Sequence, residues 1–247
     1  RKAPGFFDVV TYTGNGVNGR AISHSLESVP GMIMIKKLNT SRSWVVYHRS
    51  TDNSDPKRYW FYLNENHTRQ DDNNYSDKHF TADPTSTTFT IGNSSGVNAN
   101  SDTYVAYIFA HDEQTFGDNQ DQSIIKCGSY IGNGSESNGT TVNLGWEPQW
   151  LLIKRATGQD HWGIIDTMRG WTAEGKANVL FPNRINAEDV NANSALPTYN
   201  GFQLHTTNSE WNGNTERYIY VAIRRPDSLV GKPAEAGTDV FAMDTGN

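Results

Sequence analysis

The chain has 247 residues, of which 19% are charged and 11% aromatic, and its net charge is −6. That acidic balance, without a Lys/Arg stripe, argues against nucleic acid as a partner, and no apolar run approaches the ~20 residues of a membrane span. A single cysteine, Cys127, excludes an internal disulfide.

The sequence holds 25 asparagines and 22 glycines. Both suit turns and are weak helix formers, whereas aromatic and β-branched residues suit strands. Composition therefore points to an all-β chain of short strands and tight turns. The start, "RKAPGFFDVV", has no signal-peptide core and no methionine, which reads as a piece of something longer. Sequons at Asn39, Asn66, Asn74, Asn93, Asn133 and Asn138 follow from the Asn/Ser/Thr richness. They would matter as glycosylation sites only in a secreted eukaryotic protein.

In chain order, "FFDVVTY" (residues 6–12) reads as a strand running into the turn "YTGNG" (12–16). "RAISHSL" (20–26) alternates apolar and polar residues, as a half-buried strand does. "GMIMIKKL" (31–38) is a short continuous apolar run, fit for a strand covered on both faces. "SWVVYHRS" (43–50), "RYWFYLN" (58–64), "STTFTIG" (86–92) and "DTYVAYIFA" (102–110) follow, separated by turn clusters. A polar, acidic link, "HDEQTFGDNQDQ" (111–122), comes next.

The order then repeats with "SIIKCGSY" (123–130), "TTVNLGW" (140–146), "QWLLIKR" (149–155), "HWGIIDT" (161–167), "NGFQLHT" (200–206) and "RYIYVAIRR" (217–225). Residues 168–199 are the least regular stretch, with a helical turn expected around "AEDVNANSAL" (187–196). Sliding the chain by 118 places Tyr12, Gly14, Asn15 and Gly16 on Tyr130, Gly132, Asn133 and Gly134. Leu26, Pro30, Ile35, Lys36 and Trp44 fall on Leu144, Pro148, Ile153, Lys154 and Trp162 without a gap. With a two-residue shift, "YVA" at 104–106 meets "YVA" at 220–222; Phe89 in "TTFTIG" is matched separately with Phe202 in "NGFQLH". A register kept this long indicates two copies of one unit, about residues 6–112 and 123–226, of six or seven strands each. The phrase "YTGNG" is then a duplicated hairpin corner, with Gly and Asn supplying positive φ.

The ordered motifs "YTGNG", "ISHSL…P", "WVVYH", "YLN", "TSTTFTIG" and "VNANSDTYVAYIFA" resemble a repeated domain of uncharacterised function. It occurs in tail-associated and other structural proteins of tailed bacteriophages, especially marine ones. The resemblance runs from about Gly5 to the end of the chain. It implies a lectin-like β-sandwich within a virion protein, made in the bacterial host cytoplasm and taking part in recognition of a host-surface glycan or protein. Other virion proteins are implied partners, as is a trimer, the common state of fibre-like phage proteins. The ending "GTDVFAMDTGN" resembles a junction into a further domain, and the family carries no catalytic residues over.

The expected architecture is all-β, with two tandem copies of an antiparallel β-sandwich, jelly-roll or lectin-like, at residues 1–112 and 123–226. A linker at 113–122 joins them and a second linker at 227–247 leads onward. The expected function is non-enzymatic host-surface recognition. A purely architectural spacer or attachment domain is the alternative, and a glycan depolymerase the third reading.

Chemistry-bearing patterns are sparse. No strand carries E-x-D, which would set two carboxylates on one face for glycan cleavage. Asp52, Asp55, Asp71, Asp72, Asp118, Asp121, Glu136 and Glu174 fall in turns and read as solvated charges. A Ser-His-Asp triad assembles in space and is not legible from spacing, and no G-x-S-x-G elbow appears. His24, His48 and His111 read as surface or hydrogen-bonded residues. No His/Cys set has zinc spacing, and "GDNQDQ" around Asp118 and Asp121 lacks an EF-hand pattern, so no metal or cofactor is expected.

Sugar binding needs exposed aromatic faces beside polar groups. Trp44 and Trp162, at matched strand positions, read as core, and Trp146 and Trp150 as structural. Trp60 and Tyr62 share one face of their strand, opposite Tyr59, Phe61 and Leu63. Trp171 and Trp211 stand in polar loops. Trp60, Tyr62, Trp171 and Trp211 are therefore the candidate ligand-binding residues. Trp44, Trp162, Tyr104 and Tyr220 are expected to matter for folding.

Overall fold

The computed structural model describes residues 3–117 and 119–225. Its first half holds β1 (Phe7–Thr13), β2 (Arg20–Ser23), β3 (Met32–Lys37), β4 (Val45–His48), β5 (Tyr59–Tyr62), β6 (Gln70–Asp71), β7 (Phe80–Ala82), β8 (Thr88–Ile91) and β9 (Thr103–Phe109). They form a six-stranded sheet, β1-β9-β3-β4-β5-β6, and a three-stranded sheet, β2-β8-β7, with every pairing antiparallel. Strand alternation puts Tyr12, Tyr104, Ala106, Ile33, Ile35 and Tyr47 on one face of the large sheet. They pack there with Ile22, Phe89, Ile91 and Phe80 of the small one.

The second half holds β10 (Ile125–Ile131), β11 (Thr141–Asn143), β12 (Pro148–Arg155), β13 (Trp162–Asp166), β14 (Lys176–Val179), β15 (Asp189–Asn193), β16 (Ala195–Thr198), β17 (Gly201–Leu204), a short helix α1 (Ser209–Asn212) and β18 (Arg217–Arg224). A four-stranded sheet, β10-β18-β12-β13, faces the sheet β11-β17-β16, and β14-β15 leans on β13 through the bridge Ile164–Leu180. Each half thus has nine strands among the described residues rather than six or seven, because short edge strands carry no clear periodic pattern. The helical turn expected at 187–196 is instead β15 running into β16, and Asn191 takes positive φ there. The expected linker at 227–247 lies outside the described residues.

The two large sheets also pack back to back. Ile125, Cys127, Leu152, Trp162, Ile219 and Val221 join a single buried cluster with first-half residues. Trp162 meets Phe61 edge to face at 5.6 Å and donates its indole N–H to Tyr62 O at 2.8 Å. Thr68 Oγ1 and Arg69 N both donate to Ala156 O. A Cβ at Gly31 would stand 2.6 Å from Cys127, so glycine there lets the sheets close.

This seam separates two tryptophans that the sequence pairs. Trp162 is fully covered by the first half, whereas Trp44 is half-buried against Tyr107 and Lys36. Trp44 is therefore not core. His48, read as a surface or hydrogen-bonded residue, is wholly buried in the seam. Its Nε2 lies 3.0 Å from Tyr220 O, and its Nδ1 accepts from Ser50 N.

The "YTGNG" phrase is a corner between sheets and not a hairpin, since β1 pairs with β9 and β2 with β8. Tyr12 donates its hydroxyl to Val97 O, and Tyr130 donates to Trp211 O. Buried Asn98 accepts from Asn15 N and donates to Val17 O and Gly92 O. Buried Asn212 accepts from Asn133 N and donates to Ser135 O and Thr206 O. Tyr104 donates to Ser95 O and accepts from Ala99 N; Tyr218 donates to Ser209 O and accepts from Gly213 N.

Gly14 and Gly132 are needed for contact, because a Cβ would stand 2.0 Å from Ala99 O and 2.3 Å from Gly213 O. Gly16 and Gly134, not the asparagines, supply the positive φ. At the far end of the corner, Lys37 pairs with Asp102 and Arg155 with Glu216. All these bonds place Tyr104 opposite Tyr218, so aligning "YVA" on Tyr220 is off by two. From Asn98 and Asn212 onward the matched residues stand 114 apart, four fewer than the 118 of the corner glycines.

Tyr218→Phe removes a hydroxyl that bridges two backbone groups, and should cost about 1–3 kcal/mol. Tyr220→Phe removes no such bridge and should cost less; denaturant midpoints of the two variants check this. Burial pushes the His48 imidazole down to about 3, so the folded chain holds the neutral ring. Its contribution to stability is present above the ordinary value near 6.5 and lost as pH falls toward 3. Melting temperature should fall across that window, and His48→Gln should flatten the fall.

Candidate functional site

The site begins with β5. Its alternation sends Phe61 into the seam and sends Trp60 and Tyr62 to the opposite face, as the sequence implies. Beyond the edge of the small sheet that face opens into a cleft of about 370 Å³. Trp60 and Tyr62 line it with Val45, Tyr75, His79 and Ser94, and Arg42, His67, Gln70 and Asp77 add polar groups. Tyr62 is half-buried and Tyr75 is 46% exposed, with its hydroxyl donating to Gln70 Oε1 at 3.0 Å. Tyr62 stands edge-on to Trp60 at 4.7 Å.

The floor is a chain of buried polar groups. Asp72 opens a short 3-10 turn, and its carboxyl accepts from Trp60 Nε1 at 2.9 Å, His79 N at 2.7 Å and His79 Nδ1 at 2.8 Å. Those donors fix the His79 proton on Nδ1, which leaves Nε2 facing Ser94 Oγ at 2.9 Å. The Trp60 ring covers the imidazole at 3.9 Å. Asp72, His79 and Ser94 are all buried, and the last two line the cleft. Asp72, read from sequence as a solvated turn charge, is therefore an interior group held by three N–H donors.

The corner described above holds the wall that carries Ser94. Tyr12, Tyr104 and Asn98 all bond backbone or side chains of residues 92–99. In the second half the same loop carries Trp211 where the first has Val97. A Cβ at Gly163, the partner of Val45, would stand 2.2 Å from the Trp211 ring. The indole thus occupies the place next to which the first half has its cleft.

Of the sequence candidates, Trp60 and Tyr62 meet at the cleft, and Trp171 and Trp211 do not reach it. Trp171 is buried and donates to Ala195 O at 2.7 Å, and Trp211 is buried over Gly163. Both loops fold inward because each indole finds core to cover, so neither is an exposed platform. Trp60 too is buried, and serves as wall rather than open face. Tyr75, His79 and Ser94 were not singled out. An aromatic in the polar run "NNYSD" (residues 73–77) was a signal for Tyr75, whereas the triplet of Asp72, His79 and Ser94 becomes visible only in space.

A second surface lies on the outer face of the first large sheet. Phe7 stacks on Tyr107 at 6.3 Å, Trp44 meets Tyr107 at 5.8 Å, and Lys36 sits over Trp44. All four side chains are half-buried, beside the part of the face that the second half covers. No group of three or more His, Cys, Asp or Glu placed to hold a metal occurs among the described residues, to which Asp118 does not belong. No helix of the described residues is long and apolar enough to cross a membrane.

These features define an all-β protein of stacked antiparallel sheets with one polar-floored aromatic cleft described. The chain belongs to the family described as a domain of unknown function (DUF7483), whose model matches residues 2–225 and so spans both halves. No curated protein matches it, and no solved structure does.

Proposed function

We propose that the chain is a recognition module of a tailed-phage virion, tail- or fibre-associated, that binds a host-surface glycan in the cleft of Trp60, Tyr62 and Tyr75. The observation that carries this reading is the cleft itself. Tyr62 and Tyr75 offer ring surface for sugar C–H faces, and Arg42, Gln70 and Asp77 stand around it for hydroxyls. The recurrence of the corner bonds in both halves supports reading them as two copies of one unit, of which the first carries the binding cleft. The place in a virion, with other virion proteins as neighbours and a trimer as assembly, rests on the resemblance of the repeated motifs.

A second reading, an architectural attachment domain, is favoured by the Phe7–Tyr107–Trp44 strip, which another virion protein could cover. A depolymerase has less support. It needs two facing carboxylates in its groove, and Asp77 is the one carboxylate among the residues lining the cleft.

A glycan array that includes bacterial surface polysaccharides tests the reading. Binding should be lost in Tyr75→Ala and weakened in Tyr62→Ala, with melting temperature nearly unchanged for Tyr75→Ala. Binding that survives both substitutions, or no binding at all, would shift the function to the attachment reading.

A further inference from the structure

The geometry points to a further activity in this cleft: Ser94, His79 and Asp72 form a nucleophilic triad that hydrolyses an acyl ester. The carrier of that ester, an O-acylated glycan, rests on the recognition reading above; the chemistry of the triad does not.

The three residues have the contacts that acyl transfer requires. Ser94 Oγ and His79 Nε2 are 2.9 Å apart, and His79 Nδ1 and Asp72 Oδ1 are 2.8 Å apart. The orienting carboxyl is itself held by Trp60 Nε1 and by His79 N, so the imidazole is fixed in both position and tautomer. Trp60 closes the open face of the ring against water. A wholly structural chain of this kind would have no need to reach a cleft, yet Ser94 and His79 both line one.

A donor for an oxyanion stands on the same turn. The Gly96 N–H donates to Ser94 Oγ at 3.3 Å and holds the nucleophile in place, while the Ser95 N–H beside it has no acceptor among the described residues. Gly96 lies against the pair: a Cβ there would stand 3.2 Å from Val45 Cγ2 and 3.6 Å from both His79 Nε2 and Ser94 Oγ. The corner bonds to Ser95 O, Val97 O and Asn98 hold this turn rigid against the sheet.

The step balances with water as the co-reactant. Ser94 Oγ bonds to the ester carbonyl carbon while its proton passes to His79 Nε2, and the carbonyl oxygen takes negative charge facing the Ser95 N–H group. The carbon–oxygen bond to the alcohol breaks, and the alcohol leaves with the proton from His79. Water then adds to the acyl-serine, giving its proton to His79, and the carboxylic acid is released as Ser94 recovers its hydrogen. No electrons change hands and no metal is required. The second half has Asn208 where the first has Ser94, so one such centre is expected per chain.

The test uses the full chain, with a fluorophosphonate probe and p-nitrophenyl acetate as substrate. Mass spectrometry should find the phosphonyl adduct on the peptide carrying Ser94. Ester hydrolysis should exceed that of Ser94→Ala and His79→Ala by at least tenfold. If Ser94→Ala folds poorly, the wild-type adduct still decides, because a serine that merely caps its turn does not react. A folded wild-type chain with no adduct on Ser94, or hydrolysis that persists in Ser94→Ala, would overturn the proposal. Neither readout needs a glycan, so labelling of Ser94 beside an empty glycan array would remove the recognition reading and leave the triad standing.

Discussion

The structure depends on a buried asparagine in each half that replaces a missing stretch of sheet. Between the corner after β1 and the loop before β9, backbone groups leave the strand ladder without partners. Asn98 supplies them with one acceptor and two donors, and Asn212 does the same between β10 and β18. Both asparagines are fully buried, so each bond is made away from water, where an unmade one is costly. Two stacked tyrosines complete each corner: Tyr12 on Tyr104 at 5.2 Å and Tyr130 on Tyr218 at 4.9 Å. Their rings fill core while their hydroxyls bond loop carbonyls. Large side chains can sit here because Gly14 and Gly132 let the chain pass close beside the loop.

The same corner leads to opposite outcomes in the two halves. In the first, a small Val97 and a Val at 45 leave a cleft whose wall carries Ser94. In the second, glycine at 163 accepts the Trp211 ring, and the corresponding place is core. The outward sheet faces diverge as well. Those of the second half are covered by the first at Cys127, Trp162 and Val221, whereas Phe7, Trp44 and Tyr107 remain half-open. A frame with the same corner in both halves has room for one specialised half once the other carries more of the packing.

Much of this fold was legible in the sequence, and the reasons it was not entirely so are physical. Strand alternation and doubly covered runs such as "GMIMIKKL" report burial directly, so the long strands and their order along the chain could be read, but not how they pair into sheets. The repeated "YTGNG" reported a repeated corner. Its partners, Asn98 and Asn212, lie some 80 residues away and share no pattern with it. The back-to-back seam was not legible, because a covered outer face and an inner face look alike in one strand. For the site, the shared face of Trp60 and Tyr62 was readable from period two. Trp171 and Trp211 misled, because a tryptophan in a polar loop is drawn inward whenever neighbouring core can cover it. The Asp72–His79–Ser94 chain needed two loops to meet, the one between β6 and β7 and the one between β8 and β9, which no spacing encodes.

Amide hydrogen exchange on Asn98→Ala beside the native chain, under conditions where both stay folded, tests the central claim most directly. If the buried asparagine holds the wall of the cleft, the amides of residues 92–102 should exchange faster in the variant while those of β10, β12 and β18 keep their protection. Unchanged protection across residues 92–102 would contradict the account, since the loop would then owe its order to something other than the corner.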